Sequence, residues 1–255
     1  MKILLLDIEC KPNLAYVWKF FKENISPKQV VESTEMYSYA AKWLGSDKIF
    51  YEDTQLFDEK MLLKSMLELL DEADLVIAHN GERFDLPYIK SRCVFHGLHP
   101  PSPYKIVDTL KVARKEFRFP ANSLEYLADA LKLKHKKLAH QKYPGFHLWL
   151  GIMNNEEEAW KENKEYNVQD VIVLEELYLK FRPFITNHPN VGVILEQDRA
   201  VCPKCGSHHI HYRGFTTTNV GKYRKFVCLD CGGWARSRYT EYPKEKRKEL
   251  IVNAV

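Results

Sequence analysis

The first apolar run, Ile3-Leu4-Leu5-Leu6, has no helical period and is cut by charge at both ends, so it predicts a buried strand over Lys2 to Cys10. A second strand is expected over Met36 to Leu44, and Gly45-Ser46-Asp47 supplies turn residues for a hairpin into Lys48 to Tyr51. From Asp58 to Asp71 the apolar positions Met61, Leu62, Met66, Leu69 and Leu70 recur at helical spacing and predict a helix with one buried face. Leu75 to His79 reads as a strand. Asp85 to His96 reads as a helix, with Pro87 in its first turn and Gly97 just past its end. Ile106-Val107 closes a fifth strand, Asp108 and Ser123 are N-caps for the helices that follow, and the last long helix runs from Glu156 to Lys180. A hairpin followed by alternating helices and strands predicts an α/β fold, a sheet with helices packed on it.

Composition narrows the class. With 255 residues, 45% hydrophobic and 28% charged, the chain is globular, which excludes collagen-like, disordered and disulfide-scaffold proteins. The opening apolar run is too short for a secretory or membrane segment, so a cytoplasmic protein with no membrane partner is expected, nucleoid-associated or in a host cytoplasm if viral. The net charge of +4 divides unevenly: residues 199–255 carry +8 and the preceding 198 carry −4. An acidic body with a basic tail points to a polyanionic partner at one end. Cysteines mark the same division, because four of the six (Cys202, Cys205, Cys228, Cys231) fall within thirty residues of the tail.

Three acidic signals lie along the body. On a strand, residues i and i+2 share a face, so Asp7 and Glu9 present paired carboxylates while Ile8 faces the core. His79-Asn80-Gly81-Glu82-Arg83-Phe84-Asp85 places an acid at the start of a helix directly after a strand, and Tyr166 and Asp170 stack one turn apart on the late helix. Alone, each has a plain reading: a solvated strand end, an N-cap, a helix face. In order, D-x-E, N-x-x-x-F-D and Y-x-x-x-D resemble the DEDDy group of 3′–5′ exonucleases with a ribonuclease H-like fold. LLLDIEC and IAHNGERFDLPYI are similar in particular to the proofreading exonuclease domain of family B DNA polymerases. The resemblance covers residues 1–184 and implies a ribonuclease H-like mixed sheet and a free-standing enzyme acting on nucleic-acid 3′ ends, DNA in preference to RNA, in replication or repair.

Four carboxylates from separate segments converge only around hard cations, and oxygen ligands suit two Mg²⁺ or Mn²⁺ ions. By the resemblance, Asp7, Glu9 and Asp170 hold the ion carrying the attacking water, Asp7 also touches the second ion, and Asp85 supports that one through water. Tyr166 orients the water. Asn80 and Phe84 match positions that contact the terminal nucleotide, with Ile8 and His79 beside them. Phe84 could equally be core and His79 a hydrogen-bonded strand end. Lys132 to Lys142, rich in Lys and His, is either a nucleic-acid path or a solvated helix end and loop.

In the tail, Cys202-Pro-Lys-Cys205-Gly206 and Cys228-Leu-Asp-Cys231-Gly232 are two C-x-x-C-G knuckles separated by 22 residues, the donor set of a structural Zn²⁺ site resembling a zinc ribbon. Neither pair opens a βαβ unit, which argues against a redox role. Arg213, Lys222, Arg224, Lys225 and Trp234 interleave cations with aromatics, as a single-strand-binding surface requires. Recruitment of a replication or repair protein by the ribbon is the other reading. The expected division is a nuclease domain over 1–184, a linker over 185–198, a zinc ribbon over 199–240 and a basic tail over 241–255. A binding or scaffolding module derived from a nuclease, and a structure-specific endonuclease, remain open alternatives.

Overall fold

The computed structural model describes residues 1–136, 138 and 142–252. Lys137 and residues 139–141 of the Lys132 to Lys142 stretch, and the last three residues of the tail, lie outside the described residues. The chain forms two compact units, one of Lys2–Tyr178 and one beginning at Leu179.

The first unit is a five-stranded mixed sheet. Strands β1 (Ile3–Cys10), β4 (Met36–Trp43), β5 (Ile49–Asp53), β6 (Leu75–Ala78) and β7 (Lys105–Asp108) lie in the order β5-β4-β1-β6-β7. The expected hairpin is β4–β5, antiparallel, and β4 also pairs antiparallel with β1. β1, β6 and β7 run parallel, so their carboxyl ends open on one edge of the sheet. Leu4, Leu5 and Leu6 are fully buried, as a central strand covered on both faces requires. Two short strands, β2 (Leu14–Ala15) and β3 (Val30–Glu32), pair with each other outside this sheet. Neither carries a period-2 pattern long enough to mark it in the sequence.

Helix α1 (Glu59–Glu72) is capped by Asp58, whose side chain accepts from the Met61 N–H at 2.8 Å. Its buried face is wider than the apolar spacing implied. Leu62, Leu63, Met66, Leu67 and Leu70 are covered, each worth about 1.5–3 kcal/mol of apolar burial, whereas Met61 is 54% exposed. The expected face was rotated because Leu62-Leu63 and Leu69-Leu70 allow two neighbouring stripes, and packing on the sheet selects one. Buried Glu59 accepts from Arg92 Nε at 2.7 Å and Nη2 at 2.5 Å, from His96 Nε2 at 2.6 Å and from the Met36 N–H at 2.8 Å. That paired charge ties α1 and β4 to α2 (Asp85–Phe95). Asp108 and Ser123 cap α3 (Thr109–Glu116) and α4 (Leu124–Ala130) as expected. α5 (His147–Met153) precedes the long α6 (Glu157–Phe181).

The second unit contains a 3₁₀ turn (Arg182–Phe184), α7 (Val191–Ile194), and a three-stranded sheet of β8 (Ile210–Thr218), β9 (Gly221–Cys228) and β10 (Trp234–Arg236) in the order β10-β9-β8. A short helix, α8 (Lys244–Lys248), carries the terminal basic run. Segment 185–198 is folded onto the first knuckle: Val191 N–H donates to Pro203 O at 2.8 Å, and Lys204 Nζ reaches Pro183 O.

Candidate functional site

β1 pairs with β6 only as far as Leu5↔Ile77, so beyond that point its β6 side is open. Asp7 and Glu9 lie on this extension, and the Ile8 N–H between them donates to Asp85 Oδ1 at 3.2 Å. The Ile8 side chain itself is buried in the core.

The turn that aims Asp85 at β1 explains its sequence. Asn80 has φ +71°, a left-handed conformation that Asn tolerates, and a Cβ on Gly81 would lie 2.3 Å from the Ala78 Cβ, so only glycine fits. Arg83 and Phe84 N–H groups then both reach back to Asn80 O. Phe84, not Asp85, occupies the N-cap position, and Asp85 is the first residue of α2. The plain N-cap reading of Asp85 therefore does not hold: its Oδ1 accepts from the β1 backbone. Burial pushes the Asp85 carboxyl up to about 6, with the nearby Asp108 adding to it, and a cation is what would reverse that shift.

Asp108 holds the turn from the other side. Its carboxylate accepts from Asn80 N at 3.0 Å and Glu82 N at 3.2 Å while capping α3 through Leu110 N and Lys111 N. His79 bridges as well. Its Nε2 faces the carbonyl of Asn122 at 3.0 Å, so Nε2 is the donor, and Nδ1 meets Thr109 Oγ1 at 2.9 Å. His79 is thus a hydrogen-bonded strut at the end of β6.

An open cleft of about 480 Å³ lies at the carboxyl ends of the parallel strands, where α/β sheets place their ligands. Asp7, His79, Asn80, Asp170, Arg114 and Asn122 line it. Asp7 from β1 and Asp170 from α6 are therefore brought together. Glu9 and Asp85 are not among its lining residues, although Glu9 follows Asp7 on the same strand face and Asp85 abuts the β1 backbone. Tyr166 sits one turn before Asp170 on α6. Phe84 is 46% exposed and stacks on Tyr88 with ring centroids 5.9 Å apart, so it is not core.

What holds α6 in register is a buried polar ladder that the sequence did not announce. Tyr37 OH donates to Asn163 Oδ1 at 3.2 Å, Asn163 Nδ2 donates to Ser38 Oγ at 3.0 Å, Ser38 Oγ reaches Asn167 Oδ1 at 3.4 Å, and Asn167 Nδ2 donates to Asp7 Oδ2 at 2.6 Å. Asn163 and Asn167 are fully buried, and buried amides persist where they are satisfied. One turn of slippage would break every rung, so the ladder fixes Asp170 opposite Asp7. A usable signal was the i, i+4 spacing of Asn163 and Asn167, interlocked with that of Tyr166 and Asp170. Arg114, one turn after Leu110 on α3, and Asn122 also line the cleft without a sequence signal.

Carboxylate oxygens are the donors hard divalent cations take, and Asp7 and Asp170 line one cleft, but among the described residues the four acids are not gathered into a cluster as the tail cysteines are; Asp170 and Asp85 are buried acids whose charge such an ion would neutralise.

The thiol cluster in the second unit is geometrically explicit. The sulfurs of Cys202, Cys205, Cys228 and Cys231 all lie within 4.8 Å of one another, with Cys202–Cys231 and Cys205–Cys228 each at 3.6 Å. A tetrahedron with about 2.3 Å Zn–S bonds has edges of about 3.8 Å, so the set fits Zn²⁺. Each knuckle closes through the glycine after its second cysteine: Gly206 N donates to Cys202 O and Gly232 N to Cys228 O, both at 2.9 Å, with φ +78° and +74°. Burial alone would push the Cys228 thiol up, but backbone N–H groups of Cys231 and Asp230 and the neighbouring thiols bring it down to about 7. His209 pairs with Asp230 outside the cluster.

The expected binding residues of the tail do not share one face. Lys225 lies over the Trp234 ring at 5.2 Å, and Arg236 over Tyr223 at 4.0 Å. Strand alternation puts Lys222 and Arg224 on the opposite face, with Tyr212, Phe215 and Phe226, and Lys222 lies 4.3 Å from the Phe215 ring centre. Arg213 sits in the irregularity between Tyr212 and Phe215.

No helix among the described residues is long and apolar enough to cross a membrane. A 41-residue stretch is 42% identical to a DNA polymerase of Methanocaldococcus jannaschii, covering 16% of this chain and 2% of that protein. The structure is similar to that of the family B DNA polymerase from the hyperthermophilic archaeon Pyrobaculum calidifontis, with a TM-score of 0.51 and 14% identity over 72% of this chain and 25% of the polymerase. The chain thus spans a quarter or less of the length of either relative. Residues 17–182 match the RNase H superfamily, a range that takes in Asp85, Tyr166 and Asp170 and begins just after Asp7 and Glu9. With well over half of its length matched and a five-stranded mixed sheet flanked by helices, the chain belongs to the RNase H superfamily.

Proposed function

We propose that this protein is a metal-dependent 3′–5′ exonuclease that releases nucleotides from DNA 3′ ends. The observation that carries the reading is the convergence of Asp7 and Asp170 on one cleft, with Asp85 fixed against the β1 backbone between Asp7 and Glu9. Asp7, Glu9, Asp85 and Asp170 would hold two Mg²⁺ or Mn²⁺ ions. When bound, such ions lower the pKa of the attacking water and stabilise the leaving 3′ oxygen. The chain's own groups do the rest. Tyr166 orients the water through its hydroxyl, since a phenol is a poor base at neutral pH. Asn80 and the exposed Phe84 face receive the terminal nucleotide, and Arg114 supplies a cation to a phosphate in the cleft. DNA is favoured over RNA because both relatives described above are DNA polymerases. End-labelled single-stranded DNA, duplex DNA and RNA, each incubated with the protein and Mg²⁺, test this directly. Mononucleotide products released from 3′ ends are expected, whereas oligonucleotides would reveal internal cutting and intact strands a retired site.

The zinc-bound tail is read as a second hold on the substrate, supported by its +8 charge and its cation–aromatic pairs. Replacing Arg213, Arg224 and Lys225 together by Gln is expected to flatten the dependence of log Kd on log salt by about one to two ion equivalents, at about 0.7 per phosphate contact on a single strand with Arg224 and Lys225 on opposite faces. An unchanged slope would instead favour a ribbon that recruits a replication or repair protein.

A further inference from the structure

Apolar side chains in a folded chain normally turn inward, and the segment between β2 and β3 does the reverse. Trp18 is 94% exposed, Phe20 93% and Phe21 84%, with Tyr16 and Val17 exposed beside them. Polar contacts at the surface hold this conformation. The Glu23 carboxylate accepts from the backbone N–H groups of Trp18 at 3.1 Å and Lys19 at 2.8 Å and from Gln29 Nε2 at 3.3 Å, while Gln29 Nε2 also donates to Tyr16 O at 3.0 Å. A charged group at the centre of the turn faces the aromatics outward. Those backbone N–H groups hold the Glu23 carboxyl below its ordinary range.

The charge pattern selects the occupant. Lys19, between Trp18 and Phe20, and Lys22, after Phe21, are exposed beside the rings, and the acid of the tip, Glu23, accepts from backbone N–H groups. An apolar groove on a protein needs no such interleaving, whereas a single-stranded nucleic acid offers a base face and a phosphate at each step. The feet of the hairpin stand beside the candidate site. Lys11, two residues past Glu9, donates its N–H to Glu35 O at 2.9 Å, and Thr34 Oγ1 donates to Lys11 O at 2.6 Å. Thr34 Oγ1 also meets Tyr88 OH at 2.7 Å, and Tyr88 stacks on Phe84.

We infer that Trp18, Phe20 and Phe21, with Lys19 and Lys22, form a stacking platform for the single strand upstream of the 3′ terminus held in the cleft. This site rests on the exonuclease reading and adds a contact that reading does not need. Full-length wild-type protein and the Trp18→Ala/Phe20→Ala/Phe21→Ala variant are compared by fluorescence anisotropy on a labelled oligothymidylate of about twenty nucleotides, in Ca²⁺ to hold the strand intact. The variant is expected to bind at least tenfold more weakly, and its preference for the long strand over a dinucleotide, read as a ratio of kcat/KM in Mg²⁺, is expected to fall by a similar factor. Lys19→Gln/Lys22→Gln is expected to lower the salt slope. Equal affinity of variant and wild type, or conversion of a wild-type dimer to monomer by the triple change in light scattering, would overturn the platform and leave the exonuclease standing. A wild type that neither binds nor cleaves the strand would sink both.

Discussion

Replacing Asp7 or Asp170 by alanine is expected to lower Mg²⁺-dependent nucleotide release by about a thousandfold or more, since losing a ligand of the reacting centre removes several kcal/mol of transition-state stabilisation at 1.36 kcal/mol per decade. Folding should survive. Asp170 is buried, and removing a desolvated acid from a cleft that already holds Asp7 relieves repulsion more than it removes packing. Thermal melting separates the two effects. In chelator, Asp170→Ala should melt at or above the wild-type temperature and Asp7→Ala below it, because the latter leaves the buried Asn167 amide without its side-chain acceptor, while added Mg²⁺ should raise the wild-type transition and leave theirs where it was, because ligand binding to the native state is what supplies that gain. Undiminished release by either variant would refute the assignment of these acids. Asp7→Ala carries a second consequence, since it strips the Asn167 amide of its 2.6 Å acceptor, so Asn167→Ala is the control that distinguishes a lost ligand from a loosened α6.

The elements that carry the candidate site are largely legible in the sequence. The strand that carries Asp7 and Glu9 shows itself by an uninterrupted apolar run, and Asp108 and Ser123 by capping chemistry, because both signals are local. The ribonuclease H-like fold, implied by three short motifs, is the fold observed. What escaped was set by tertiary contact. Asn163 and Asn167 look like ordinary polar positions of a surface helix, and only their partners Ser38 and Asp7, more than a hundred residues away, make them buried struts. Taken alone, Asp85 reads as a cap, because an acid after a strand looks like one until the open side of β1 appears beside it. The aromatics between β2 and β3 carry no helical or alternating period, so their outward presentation emerged only with the Glu23 turn.

Stripping zinc from the cysteine cluster is expected to have the largest structural effect of any single change. Between residues 199 and 252 the only buried apolar side chains are Cys202 and Cys228 themselves, and β8, β9 and β10 leave Tyr212, Phe215 and Trp234 exposed. Apart from Val191 and Leu195 packed beside Gly206, the sheet has little apolar burial to oppose chain entropy, and structural Zn²⁺ contributes about 10–16 kcal/mol in small zinc-binding peptides. One zinc per chain should be found by elemental analysis. A strong chelator, or Cys202→Ser, should then open the backbone around Arg213, Lys222, Arg224, Lys225, Arg236 and Arg238 to trypsin, while hydrogen exchange over β1, β4 and β6 stays protected, because their core is apolar and complete without metal. Zinc binding should also release protons from the thiols, and the release per metal should diminish as pH rises past about 7, where Cys228 already ionises in the metal-free cluster. A ribbon that carries no zinc and resists trypsin equally with and without chelator would mean that the four sulfurs are held at 3.6 Å by packing alone, which a surface this open does not supply.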